Sequence, residues 1–221
     1  MLALLFDLDG TLFDTLDAIM AATNAALAEI GEPPLRTEEL RPLIGIPIDR
    51  QMAMLRKVAG PAAASVAESY YRHFVRHVRR GVRAYPGVRD TLRDLAGHAI
   101  GTMTTRRREV AVLMLRKAGI DGYFRAIVGG DEVSRPKPDP DLPRFAAQSL
   151  GVAPRDCIVV GDAPVDILAG RAAGTWTVAA MYGYGNEEEI RAARPHAEID
   201  EISDLPRVVE DLESRAARAT S

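Results

Sequence analysis

Four short runs of this 221-residue chain carry side chains that could do chemistry. LLFDLDGTLFD (residues 4–14) sets Asp7 and Asp9 one residue apart after an apolar run, with Gly10 and Thr11 behind them. Carboxylates so close raise each other's pKa unless a cation compensates. AIGTMTTR ends in Thr104, Thr105 and Arg106. SRPKPDP holds Lys137 between two prolines, and DCIVVGDAPVD ends with Asp162 followed by Asp166. The chain has 25 arginines and only three lysines, so a lysine at such a place points to a need for a compact ammonium rather than a planar fork.

Clustered carboxylates suit a hard cation, and Mg²⁺ favours a few oxygen ligands together with water and a substrate phosphate. Such an ion would screen Asp7 from Asp162. A carboxylate beside a bound phosphate can attack phosphorus and form an aspartyl-phosphate. A cation, a lysine and hydroxyl or backbone N–H donors would stabilise the transferring oxygens. A second carboxylate would protonate the leaving alkoxide and later activate water.

These residues need a frame that gathers them. Buried strands are expected at LALLFD, AIGTMTT (99–105), AIVGG (126–130), DCIVVGD (156–162) and TWTVAA (175–180). Between them RRREVAVLMLRKAG, DLPRFAAQSLG and APVDILAGRAAG carry helical spacing and stop at Gly. Alternation of this kind predicts an α/β fold, a doubly wound, Rossmann-like parallel sheet whose ligands lie outside the carboxyl ends of the strands. Asp7, Thr104, Lys137 and Asp162 would then share one rim. DLPRVVEDL reads as a last helix and ESRAARATS as a frayed tail. The stretch 15–84 shows three amphipathic helices and no strand pattern, far more chain than a crossover needs. It is expected to be a helical cap inserted into a core of residues 1–14 and 85–221.

Composition bounds the rest. Apolar residues are 47 %, charged residues 27 % and the net charge is −3, which gives nucleic-acid binding no support. The single Cys157 excludes an internal disulfide and fits a reducing compartment. No apolar stretch reaches the roughly 18 residues of a spanning helix, and no signal-peptide pattern opens the chain. A soluble, cytoplasmic protein with no membrane partner is the expectation.

DLDGTL, the strand-end Thr104, RPKPDP with Lys137, and VGDAPVDILAGRAAG together resemble the four ordered motifs of the haloacid dehalogenase superfamily. The helical insertion resembles that superfamily's α-helical cap. The resemblance implies Asp7 as nucleophile and Mg²⁺ ligand. It implies Asp9 as general acid/base that lends its backbone carbonyl to the metal. Thr104 would bond the phosphoryl group, Lys137 would neutralise it, Asp162 would ligate Mg²⁺, and Asp166 would be a ligand or its support. Gly10 would let backbone approach the phosphate, with Thr105 and Arg50 as substrate contacts; Arg106, a cation at a helix start where it opposes the dipole, is a further candidate contact for an anionic substrate. Asp9 sets the chain apart from dehalogenase and phosphonate-cleaving members, which lack it. Where β-phosphoglucomutase-like members carry a phosphate-gripping Arg, GIPIDR (residues 45–50) has Ile48, with Arg50 nearby. The likeness is greatest to the phosphoglycolate phosphatase group, whose Gly-Tyr loop, short strand and last helix resemble YGYGNEEEIRAARPHAEIDEISDL. Ala163 and Thr105 depart from that group's usual Ser and Asn. A small phosphorylated metabolite is the implied partner. The alternatives are a phosphomutase, a phosphatase of broad range on sugar or nucleoside phosphates, and a catalytically silent interaction protein.

Plainer readings stand beside these. Asp7 and Asp9 could form a structural metal site or an Asx turn, and Lys137 could be an exposed loop lysine. Asp166 equally suits a helix dipole. His73 and His77 have ligand spacing but no third partner, which favours packing or solvent exposure. Arg107 and Arg108 read as surface, and Trp176 as core.

Overall fold

The computed structural model describes residues 1–220. Strand β1 (Ala3–Phe6) is buried on both faces, as a central parallel strand must be. It is flanked by β4 (Ile100–Thr102) on one side and β5 (Cys157–Gly161) on the other. Then come β6 (Trp176–Ala180) and β7 (Ala197–Ile199), giving the all-parallel order β4-β1-β5-β6-β7. Successive residues enter different cores. Leu4, Phe6, Ile158, Val160 and Val178 join one, while Ala3, Leu5, Cys157 and Val159 join another with Leu142 and Ala146 of helix α7 (Asp141–Ser149). Both faces are therefore covered, as a doubly wound sheet requires. The connecting helices are α5 (Val88–Asp94), α6 (Arg108–Ala118), α8 (Pro164–Ala173), α9 (Glu187–Ala192) and α10 (Leu205–Thr220).

Between β1 and the return to the sheet lie α1 (Leu16–Glu29), α2 (Thr37–Leu40), α3 (Ile48–Arg56) and α4 (Gly60–Arg80). Helices α1 and α4 pack together through Ile19, Ala22, Ala26 and Leu27 against Val66, Tyr70, Phe74 and Val78. The two chain crossings pair as a ribbon of β2 (Phe13–Asp14) and β3 (Arg83–Ala84), too short to leave a period in the sequence.

Two expectations are corrected. The run 126–130 lies beside β4 but is not a strand, forming only an isolated bridge from Gly101 to Ala126 and a long bond from the Thr104 N–H to the Val128 carbonyl at 3.4 Å. The Thr102 side chain breaks the ladder, because its Oγ1 donates to the Val128 carbonyl at 2.9 Å and accepts the Val128 N–H at 2.8 Å. The tail ESRAARATS is not frayed as far as residue 220, because α10 runs through it. Glu213 accepts the Leu2 N–H at 2.6 Å, and the Arg215 guanidinium sits 5.2 Å from the Trp176 ring. Ser221 lies outside the described residues. No helix among the described residues is long and apolar enough to cross a membrane.

Candidate active site

Asp7 follows β1, Asp162 follows β5, and Asp166 stands in the first turn of α8, so the parallel sheet delivers three carboxylates to one rim. All three are buried, and each offers an oxygen within 4.8 Å of the others. Lys137 reaches them from the loop before α7. Its Nζ donates to Asp166 Oδ1 at 2.5 Å and to Asp7 Oδ1 at 3.1 Å, with no exposed side-chain surface. The reading of Lys137 as an exposed loop residue is thereby excluded. The other oxygen of Asp166 accepts the Ala163 N–H at 3.0 Å, so this carboxylate both caps its helix and seats the ammonium.

Burial pushes the Asp7 carboxyl up to about 7, with Asp166 and Asp9 adding to the rise and Lys137 opposing it. Burial also drives Asp162 well above the usual carboxylate range, reinforced by Asp166 and Asp7. Burial would lower the Lys137 ammonium, yet Asp166 and Asp7 outweigh it and hold the group charged. One ammonium against three carboxylates leaves negative charge uncompensated.

Asp162 is fixed by the Thr11 hydroxyl at 2.8 Å and the Tyr184 N–H at 2.8 Å. Gly10 adopts φ +81°, and a Cβ there would stand 2.1 Å from Asp162 Oδ2. The glycine therefore serves the approach of the β1 loop to Asp162.

Asp9 is held differently. Arg106 Nε donates to its Oδ2 at 2.6 Å and Nη2 to its Oδ1 at 3.0 Å, a bidentate pair almost wholly buried. Thr15 Oγ1 donates to the same Oδ1 at 2.5 Å. The third Arg106 nitrogen, Nη1, donates to the Tyr70 hydroxyl, and the guanidinium lies 3.7 Å from the Phe74 ring centroid. Tyr70 and Phe74 belong to α4, so Arg106 links Asp9 to the inserted helices.

Thr104 is fully buried, its Oγ1 accepting the Arg106 N–H at 3.2 Å. Thr105 and Arg106 line a cavity of about 30 Å³ with Asp9, Gln51, Tyr70 and Tyr71. Arg50 is not brought to it. It is exposed, and lines a larger neighbouring cavity of about 510 Å³ with Arg107 and Asp131. Arg107, partly exposed at the surface, pairs with Glu68 of α4 and lies 4.2 Å from the Tyr71 ring, so it too joins core to insertion. Arg108 bonds the Ile127 carbonyl at 3.1 Å. His73 binds Glu29 at 2.8 Å, and among the described residues the carboxylate trio is the one group of His, Cys, Asp or Glu placed to hold an ion. Trp176 is half-buried, packed against His196.

Sequence reasoning missed Tyr184, Thr15, Tyr70 and Gln51. Tyr184 Oη accepts the N–H groups of Thr15 at 2.5 Å and Leu16 at 3.0 Å, which caps α1 while the Thr15 hydroxyl serves Asp9. Arg41 ties that loop down through the carbonyls of Gly183 and Tyr184, both at 3.2 Å. The Tyr in the Gly-Tyr loop was visible, but nothing in the sequence joined it to residue 15.

The residues present fit a hard divalent cation. The donor set is all carboxylate oxygen, and burial, reinforced by the neighbouring carboxylates, raises Asp7 and Asp162.

Comparison with known proteins agrees. Residues 4–180 match the family model of haloacid dehalogenase-like hydrolases. A phosphoglycolate phosphatase of Pseudomonas putida is 34 % identical over 211 residues, covering 91 % of this chain and 77 % of the relative. Pyrophosphatase PpaX of Bacillus velezensis is 34 % identical over 209 residues, covering 92 % and 94 %. The crystal structure of a β-phosphoglucomutase from Clostridium difficile superposes with TM-score 0.84 at 22 % identity, covering 100 % of this chain and 99 % of that one, a likeness of fold alone. With its motifs on one rim and its sequence matched over most of its length, the chain belongs to the haloacid dehalogenase-like hydrolases, among that family's phosphatases.

Proposed function

We propose that this protein is a Mg²⁺-dependent cytoplasmic phosphatase acting on a small phosphate monoester, with 2-phosphoglycolate as the leading substrate. The observation that carries the reading is the buried Asp7, Asp162, Asp166 and Lys137 cluster with Asp9 held beside it. Asp7, Asp162, Asp166 and the Asp9 carbonyl would hold the ion, which when bound neutralises phosphate charge as a Lewis acid.

The chain's own residues do the remainder. An Asp7 carboxylate oxygen attacks phosphorus, the ester P–O bond breaks, and Asp9 gives its proton to the departing alkoxide. Asp9 then takes a proton from water, whose oxygen attacks the Asp7 acyl phosphate and releases inorganic phosphate. The Lys137 ammonium and the Thr104 hydroxyl stabilise the transferring oxygens. In this reading residues 15–84 cap a core of 1–14 and 85–221 and exclude water during transfer.

The PpaX relative adds pyrophosphate as a second candidate substrate. The mutase alternative has less support, since Ile48 replaces the expected Arg and Arg50 lines the neighbouring larger cavity rather than the Asp9 cavity. The test is phosphate release from a panel of esters and pyrophosphate, with and without Mg²⁺. Metal-dependent release that is lost in Asp7→Asn is expected. Unchanged turnover in Asp7→Asn would overturn the nucleophile, and no release from any compound would overturn the reading.

A further inference from the structure

We propose that Arg106 selects substrates with a small anionic leaving group, its guanidinium exchanging Asp9 for that anion. This deepens the phosphatase reading above and rests on it. In that chemistry Asp9 protonates the leaving oxygen, so the atoms beyond that oxygen occupy the cavity Asp9 lines. That cavity, about 30 Å³, holds a group of only a few heavy atoms. Its walls at Ile19, Ile44, Ile46 and Ile48 are apolar, and Arg106 is the one cation among its lining residues.

The guanidinium is built into place. It is buried, backed by Phe74 at 3.7 Å and bonded to Tyr70, and its contacts to Asp9 use Nε and Nη2. An arginine has five N–H groups, and three are engaged here, leaving one on each terminal nitrogen for an incoming acceptor. A neutral leaving group offers Arg106 nothing and leaves both Asp9 oxygens occupied. A carboxylate or phosphate supplies planar or forked acceptors that match the guanidinium and draw it from Asp9. Arg50 and Arg107 line the neighbouring larger cavity and not this one.

The test compares kcat/KM for 2-phosphoglycolate, pyrophosphate and ethyl phosphate in wild type, Arg106→Met and Arg106→Lys. Ethyl phosphate is the neutral match in size. Wild type should favour an anionic compound by about 100-fold, and whichever one it favours names the anion. Arg106→Met should lower that preference by roughly 30-fold, whatever happens to absolute rates, with Arg106→Lys between. A preference unchanged in Arg106→Met, with all compounds falling together, would show that Arg106 only positions Asp9 and would overturn the proposal. So would wild type that hydrolyses ethyl phosphate as well as the anionic compounds. If circular dichroism shows Arg106→Met unfolded, Arg106→Lys carries the comparison. If wild type turns over none of the three, the phosphatase reading fails separately. Calorimetric binding of phosphonoacetate against ethylphosphonate, in wild type and Arg106→Lys, then decides: equal affinities in wild type refute the role of Arg106, and tighter phosphonoacetate weakened by the lysine supports it.

Discussion

Lys137→Met should destabilise the metal-free protein far more than a loop substitution would. The ammonium is completely buried, 2.5 Å from Asp166 and 3.1 Å from Asp7. Methionine nearly fills the same volume, so little of the effect arises from a cavity. What remains is a pair of buried carboxylates stripped of their cation. Breaking a buried ion pair by removing one partner costs about 3–5 kcal/mol. In a domain of this size that lowers the melting temperature by about 6–20 °C, at roughly 2–4 °C per kcal/mol. The assay is urea unfolding followed by circular dichroism at pH 7.5 with a chelator present. Removing both partners of such a contact is far cheaper than removing one. The double variant Lys137→Met with Asp166→Asn should therefore recover at least half of the loss. A single-variant loss below about 1 kcal/mol, on the scale of an exposed pair, would refute the argument. Additive losses in the double variant would refute it equally, because residues in contact must couple.

Tyr184→Phe removes the acceptor that caps α1 and should cost about 1 kcal/mol in urea unfolding, the ordinary worth of a helix cap. Glu29 is held down to about 2 by the Ser69 hydroxyl, His73 and Arg72, against 4.5 when free. A depressed carboxyl stabilises above its free pKa and loses that contribution as pH falls toward the folded value. The melting-temperature advantage of wild type over Glu29→Gln should thus be full at pH 6 and shrink steadily below about pH 4.5; an advantage independent of pH would contradict the assignment. Burial pushes the Cys157 thiol up to about 12, with Asp156 adding to it. It should resist a disulfide thiol reagent in the native protein and react at once in urea, and fast native labelling would show that β5 is not closed.

The carboxylates and the lysine were legible because parallel strands put their last residues on one edge, so strand ends alone locate Asp7, Thr104 and Asp162. Lys137 could be read from its prolines, although its burial between two carboxylates could not. Arg106 was visible as a cation at a helix start, but its partners Tyr70 and Phe74 lie on α4, more than thirty positions earlier. No local period records such a contact. The segment 126–130 was misread because apolar content resembles a strand even where the Thr102 hydroxyl has taken the backbone groups a ladder needs. The tail was misread because its helix is held by Leu2 and Trp176, neighbours only in the folded chain.

The hydroxyl of Tyr184 has a bearing on how such proteins can be recombined. Helix α1 is anchored by a residue 169 positions further along the chain, because its own Thr15 side chain is turned to Asp9. Transplanting the helical insertion onto another scaffold as one contiguous block would leave its opening turn without an acceptor. The transferable unit is discontinuous: the grafted segment must travel with the Gly183-Tyr184 loop, and a recipient lacking that tyrosine is a poor host.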